Sequence, residues 1–414
     1  MSVSTPGRLS LPLTEPRSGV TTVLKPPPAD RRNPFGTQAK VLFTHFDRVA
    51  ELRRSGDTFP VLIEINLTNY CNEACRWCIS MYSHQGNPGM TPDEKRIRLV
   101  RLDESPAMSG HPERRRGLDI SVLGSFLRQA QAKGLRAVTW SGGGEPTTHP
   151  GFPELVRTTT ECGLEQGLMT NGFFPDGYVP MIGQNLRWVR VSLDTIDRNR
   201  YHEQKAVDAF PKVVNNIRNL LRHPAQVGIN MNLAEWNADE ILPMARWCRD
   251  EGVGYFQIRP VLGLPFDMAR TAAYRTQPRL DWARLKPQLE EAEQLSTETF
   301  RVAISWDKFE DVNDPTGNFG RTYSKCLYHY LCCVLNADGD LCVCMYHLGD
   351  RAFSFGNIYE QTAAEIWSGP KRREVIGMCT SRLDLSSCQV CCKGHEINKL
   401  MSQFENPGTD VNFF

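Results

Sequence analysis

Between residues 61 and 261 the chain repeats one pattern about six times: a short apolar run of strand length, then a longer amphipathic segment of helical period. The strand-like runs are VLIEINL (61–67), LRAVTW (135–140), LEQGLMT (164–170), RWVRVSL (187–193), QVGINMNL (226–233) and YFQIRPV (255–261). Helical segments include LDISVLGSFLRQAQAKG (118–134), HPGFPELVRTTTECG (149–163), FPKVVNNIRNLLRH (210–223) and ADEILPMARWCRDEG (238–252). Strands alternating with helices predict an α/β domain built on a parallel sheet. An open doubly wound sheet and a partial barrel both fit the count. In either, ligands gather at the carboxyl ends of the strands.

The segments that follow the strands therefore carry the chemistry. The first strand runs into CNEACRWC (71–78), the second into SGGGEPTTHP (141–150) and the third into TNG (170–172). The fourth ends in SLD (192–194), the fifth in NMNLAEWN (230–237) and the sixth in IRP (258–260). Polar or glycine-rich residues recur at every carboxyl end, as a single shared site requires.

Composition excludes some functions. A formal net charge of +1 over 414 residues gives no electrostatic footprint for nucleic acid or an anionic membrane. The N-terminal sequence lacks the apolar core of a signal peptide, and no apolar run approaches the ~20 residues of a membrane span. A soluble, cytoplasmic protein is expected. The 14 cysteines are clustered, three at 71–78 and nine between Cys326 and Cys392. In a reducing compartment such clustering points to metal or iron–sulfur ligation. Cys162 and Cys248 stand apart and suit buried positions.

Three cysteines on one loop are too few for a structural zinc, which takes four protein ligands. A [4Fe–4S] cube normally takes four as well, so three leave one iron open to a co-substrate. C-x3-C-x2-C with an aromatic, Trp77, before the last cysteine resembles the signature of the radical SAM superfamily. GGEP (143–146) resembles that family's methionine-binding motif. The resemblance spans about residues 60–260 and implies a partial (β/α)6 TIM-like barrel. It implies a [4Fe–4S] cluster on Cys71, Cys75 and Cys78 whose open iron binds S-adenosylmethionine, reduced by an external donor such as flavodoxin or ferredoxin. Residues expected around the co-substrate are Gly142, Gly143, Gly144, Glu145, Pro146 and Asn171. Ser192, Asp194 and Asn232 would reach its ribose and carboxylate. The competing readings are a zinc site with a remote fourth ligand and purely structural cysteines.

A second cysteine set follows. Cys326 is separated from Gly339 by twelve residues and Gly339 from Cys344 by four; C-x2-C follows at Cys388 and Cys391. NADGD (336–340) is a hairpin-turn signal that would bring Cys326 and Cys344 to one metal site. The arrangement resembles the twitch domain, the shorter relative of the SPASM extension, and implies one auxiliary [4Fe–4S] cluster on these four cysteines. The further cysteines of a full SPASM domain are missing after Cys391, although Cys332, Cys333, Cys342, Cys379 and Cys392 are possible substitutes. A structural zinc ribbon is the competing reading. The spacing is close to that of an inosamine dehydrogenase of aminoglycoside biosynthesis, which suggests a substrate class without fixing it.

The expected organisation is a tail (1–38), the barrel (39–275), a connecting helix and strand (276–325), the cysteine-rich domain (326–400) and a second tail (401–414). The loop 79–116 suits a lid or a solvated insertion equally. Arg259 should emerge near substrate, and Cys248 is a candidate hydrogen donor; His395 and Glu396 suit substrate contact or helix capping. The preferred activity is hydrogen abstraction from a carbohydrate, aminocyclitol or nucleoside-like molecule, with oxidation ahead of epimerisation. Modification of a ribosomal peptide and a non-catalytic iron–sulfur redox protein are the alternatives.

Overall fold

The computed structural model describes residues 39–75, 78, 117–261, 280–313, 321–348, 350–385, 388 and 392–405. Trp77, Cys391, the loop 79–116, both expected tails apart from residues 401–405, and the expected boundary at 275 lie outside these residues.

The six expected strands form and run parallel: β1 (Leu62–Asn66), β2 (Ala137–Ser141), β3 (Glu165–Thr170), β4 (Trp188–Ser192), β5 (Gln226–Leu233) and β6 (Tyr255–Pro260). β1 and β6 do not meet. β6 pairs onward with β7 (Arg301–Ile304), and β1 pairs with β8 (Cys332–Leu335) from the cysteine-rich region. Beyond β8 lie β9 (Asp340–Cys342) and β10 (Ser354–Asn357), both antiparallel. Among the described residues the result is a ten-stranded sheet, open rather than closed on itself. The cysteine-rich region thus prolongs the main sheet instead of forming a sheet of its own. Its turn is the expected one: Gly339 has φ +94°, which NADGD supplies without a Cβ penalty.

Alternation along the strands decides what each face holds. One face carries Ile63, Ile65, Val138, Trp140, Leu168, Val191 and Ile229, all buried in one core with residues of the covering helices. These helices include α3 (Ile120–Ala132), α4 (Phe152–Glu161), α5 (Val179–Asn185), α6 (Arg198–Lys205), α7 (Phe210–Leu220) and α8 (Ile241–Asp250). The other face is polar yet buried, with Glu64 and Asn66 4% exposed, Thr139 3% and Asn230 6%. Its lower rows are filled by two rings: a Cβ on Gly167 would lie 2.1 Å from the Trp188 ring, and one on Gly228 2.0 Å from Tyr255.

The N-terminal helix expected over 40–54 is two, α1 (Ala39–Thr44) and α2 (Phe46–Ser55), because His45 leaves the helical conformation. Just beyond α2, Asp57 receives a two-pronged ion pair from buried Arg372 (2.5 and 2.7 Å), whose guanidinium also lies 3.5 Å from the Trp367 ring. This ties the segment after α2 to the C-terminal third of the chain. No helix among the described residues is long and apolar enough to cross a membrane.

Candidate active site

The loop after β1 is stitched to the turn after β2. Gly144 N donates to Thr68 O (2.9 Å) and Glu145 N to Tyr70 O (2.8 Å). That approach needs glycine: a Cβ on Gly144 would sit 1.9 Å from Tyr70 O, and one on Gly142 1.6 Å from Gly144 O. Cys71, Cys75 and Cys78 are half-buried on this loop. Burial pushes the Cys71 and Cys75 thiols well up, and each is raised further by its sister thiols. A positively charged centre bound by these thiolates would reverse the shift. Among the described residues no three His, Cys, Asp or Glu side chains are packed as a site for a single ion.

Glu145 is among the residues expected around the co-substrate. Its carboxylate accepts four bonds from the protein: Thr147 N (3.1 Å), Thr147 Oγ1 (2.7 Å), Thr170 Oγ1 (2.8 Å) and Asn171 N (2.7 Å). It clamps the end of β3 to the turn before Pro146, which opens a short 3₁₀ turn, while buried Gly143 lies inside that turn. Burial raises its pKa and these donors oppose the rise. Asn171 in turn donates to Asn72 Oδ1 (2.7 Å) and lies 3.9 Å from Cys71 Sγ.

The fourth and fifth strands end in a second brace. Asp194, 1% exposed, accepts from Asn232 N (2.7 Å) and Asn232 Nδ2 (3.0 Å). Lys205, equally buried, donates to Ser192 O (2.8 Å) and pairs with Glu73 Oε2 (3.1 Å), while Asp194 lies 3.8 Å away. Tyr201 closes a short hydrogen bond to Glu73, and the Cys75 thiol lies 3.6 Å from it. Burial works to lower the Lys205 pKa, but Glu73, Tyr201, Cys75 and Asp194 outweigh it and hold the ammonium charged. Glu73, Tyr201 and Lys205 were not anticipated. Glu73 sits inside the cysteine motif, but nothing local pairs it with a lysine on a helix that has no apolar stripe.

The polar face of the sheet carries Arg190 and Arg259, the latter half-buried near the end of β6 as expected. Cys248 is a correction. It lies on α8, 0% exposed in the core between helix and sheet, on the face opposite the site, so it cannot serve as a hydrogen donor there.

Cys326, Cys344, Cys388 and Cys392 line one cavity together with Tyr328 and Lys393. Burial pushes the Cys326 and Cys344 thiols up, and the neighbouring thiols add to this. Asn398, 1% exposed on α9 (His395–Glu405), accepts from Leu327 N (2.6 Å) and Tyr328 N (2.8 Å) and lies 3.9 Å from Cys326 Sγ. The expected boundary at residue 400 falls inside this helix. Cys332, Cys333, Cys342 and Cys379 are buried in the strands and helix around the cavity. Tyr323 bonds His395 Nδ1 (3.1 Å), so this histidine packs within the region. Glu64 lines the same cavity from β1 and is paired with Lys393, joining it to the polar face.

Two cysteine sites, one beside a glycine turn at the strand ends and one in the C-terminal extension, define an iron–sulfur protein of the α/β class. The radical SAM superfamily's model matches residues 65–248, and an iron–sulfur cluster-binding SPASM domain matches 326–392. A GTP 3',8-cyclase of Chlorobaculum tepidum is 28% identical over 69% of this chain and 78% of its own. Matches to Clostridium perfringens GTP 3',8-cyclases span about half the length of those relatives. The sporulation killing factor maturation protein SkfB of Bacillus subtilis is 23% identical over 75% of this chain and 65% of its own. Among solved structures, Streptococcus suis SuiB bound to precursor peptide SuiA superposes with TM-score 0.57 at 16% identity, covering 88% of this chain and 78% of that one. The fold is therefore shared.

Proposed function

We propose that the protein reductively cleaves S-adenosylmethionine and uses the resulting 5′-deoxyadenosyl radical to abstract hydrogen from a small natural-product intermediate. The observation that supports this most is the stitching of the Cys71–Cys78 loop to the Gly142–Pro146 turn. A cluster on Cys71, Cys75 and Cys78 would supply the electron that breaks the co-substrate's carbon–sulfur bond. Around it, the chain's own groups position and exclude water: Glu145 fixes the turn, and Lys205 with Glu73 fixes the cysteine loop from below. Cys326, Cys344, Cys388 and Cys391, or the adjacent Cys392, would hold a second cluster that supplies a one-electron acceptor.

Oxidation is favoured over epimerisation, since the candidate hydrogen donor Cys248 lies in the core. In an oxidation the substrate gives one hydrogen atom to the radical, then one proton to solvent and one electron to an acceptor. With the reconstituted enzyme and a strong reductant, 5′-deoxyadenosine and methionine should form, and Cys75→Ala should abolish both. Undiminished cleavage in that variant would refute the reading. SkfB and SuiB support a second reading, in which the substrate is a ribosomal peptide. A panel of peptides and small molecules followed by mass spectrometry separates the two, and an oxidised product is two hydrogens lighter.

A further inference from the structure

We propose that Glu64, a residue of the first strand, positions the second cysteine site through Lys393, and that the Lys393 ammonium sets that site's reduction potential. The proposal rests on the reading above, in which this cavity holds an iron–sulfur cluster. Cys326, Cys344, Cys388 and Cys392 line the cavity, and so do Glu64 and the Lys393 with which it pairs. Four thiols around one space are the donor set that a [4Fe–4S] cluster takes. Strand register locates the cavity: Glu64 lies opposite Val334 of β8, and Val334 lines it as well. It therefore stands over the seam where the C-terminal extension joins the main sheet, on the polar face of β1.

Glu64 is 4% exposed, and a carboxylate so deep needs a counter-charge. The chain brings that charge on the residue directly after Cys392, so the ion pair fastens a cysteine-bearing segment to β1. Other contacts hold the same segment from the C-terminal side. Cys392 O accepts from His395 N (3.1 Å) and Gly394 O from Asn398 N (2.8 Å), which joins it to the start of α9. Residue 394 is glycine where the backbone meets the Tyr328 ring: a Cβ there would lie 2.5 Å from the ring's Cγ.

The placement of this charge has a chemical consequence. Four thiolates make the site anionic, and reduction adds one more negative charge. An ammonium held on the cavity wall favours the reduced state and so raises the potential, because net charge and nearby donors set cluster potentials. A site poised higher is a better acceptor for the one electron that a substrate oxidation sheds. Glu64 draws the flexible lysine stem toward β1 and fixes where the charge stands.

The test is iron content and EPR-monitored redox titration of the reconstituted holoenzyme. Adding S-adenosylmethionine should change the signal of the first cluster alone, which carries the open iron, and this tells the two clusters apart. Lys393→Met should lower the second cluster's midpoint potential, and Lys393→Arg should return it toward the wild-type value. Glu64→Gln should cost at least half of the iron at the second site, and Glu64→Asp less. The first cluster's iron and the thermal midpoint verify that each variant is folded. An unchanged potential in Lys393→Met, or unchanged second-site iron in Glu64→Gln, overturns the inference. Equal losses at both clusters also overturn it, because the pair would then serve the fold as a whole. Wild-type 5′-deoxyadenosine formation is measured alongside. If it occurs while the second site does not respond, this inference fails and the radical reading stands; if it is absent while both variants respond as expected, the reverse holds.

Discussion

At the scale of single residues, the buried Glu73–Lys205 pair holds the cysteine loop in place. Removing one partner of such a pair strands the other's charge in the interior, at about 3–5 kcal/mol. Lys205→Met should therefore lower the iron retained after reconstitution, and Glu73→Gln added to it should restore part of the loss. Iron assays with visible absorbance check this, and equal losses in single and double variants would refute the coupling. The three loop cysteines were legible because their spacing is local. The network beneath them was not, since Tyr201 and Glu73 are 128 positions apart. His329 gives a pH prediction. It is 0% exposed, and burial, aided by Arg372, lowers its pKa to about 3. A base whose folded pKa lies below its unfolded value of about 6.5 takes its proton mainly in the unfolded state, so stability falls as pH drops from about 6.5 toward 3. Between pH 7 and pH 5 the loss should be about 2 kcal/mol more in the wild type than in His329→Gln, measured by urea unfolding at both pH values.

At the scale of elements, the strands were readable and several helices were not. β1 to β6 follow from apolar alternation, and the Gln226–Leu233 strand has the expected bounds. α6 escaped notice because RNRYHEQK holds one buried apolar residue, Tyr201, and its ion pairs run to Asp208, Asp239, Glu240 and Glu73. The polar face was equally hidden: alternation shows that two faces exist but not that both are buried. Within the strands, Gly167 and Gly228 make room for the rings of Trp188 and Tyr255. Gly228→Ala should overpack the face by about 1–3 kcal/mol. The urea midpoint should fall accordingly, and Tyr255→Leu in the same chain should recover most of the difference. A Gly228→Ala protein as stable as wild type would show that the Tyr255 ring is free to move aside.

For the whole molecule, the decisive feature is the pairing of β8 with β1. Four register pairs, from Leu62↔Cys332 to Ile65↔Leu335, join the C-terminal region to the first strand. A chain truncated after Asn313 would leave β1 as a bare edge, and exposed edges template aggregation. Such a protein should elute as aggregates by size-exclusion chromatography, and a monodisperse product would count against this role. The same ladder has a further consequence for the two cysteine sites. The loop bearing Cys71 grows from the end of β1, and Cys344 follows the strand that pairs with β8, so both cysteine sites ride on one run of hydrogen-bonded strands. A hinge between them would have to break that ladder. The spacing of the two cysteine sites is therefore set by strand register, like marks on a ruler.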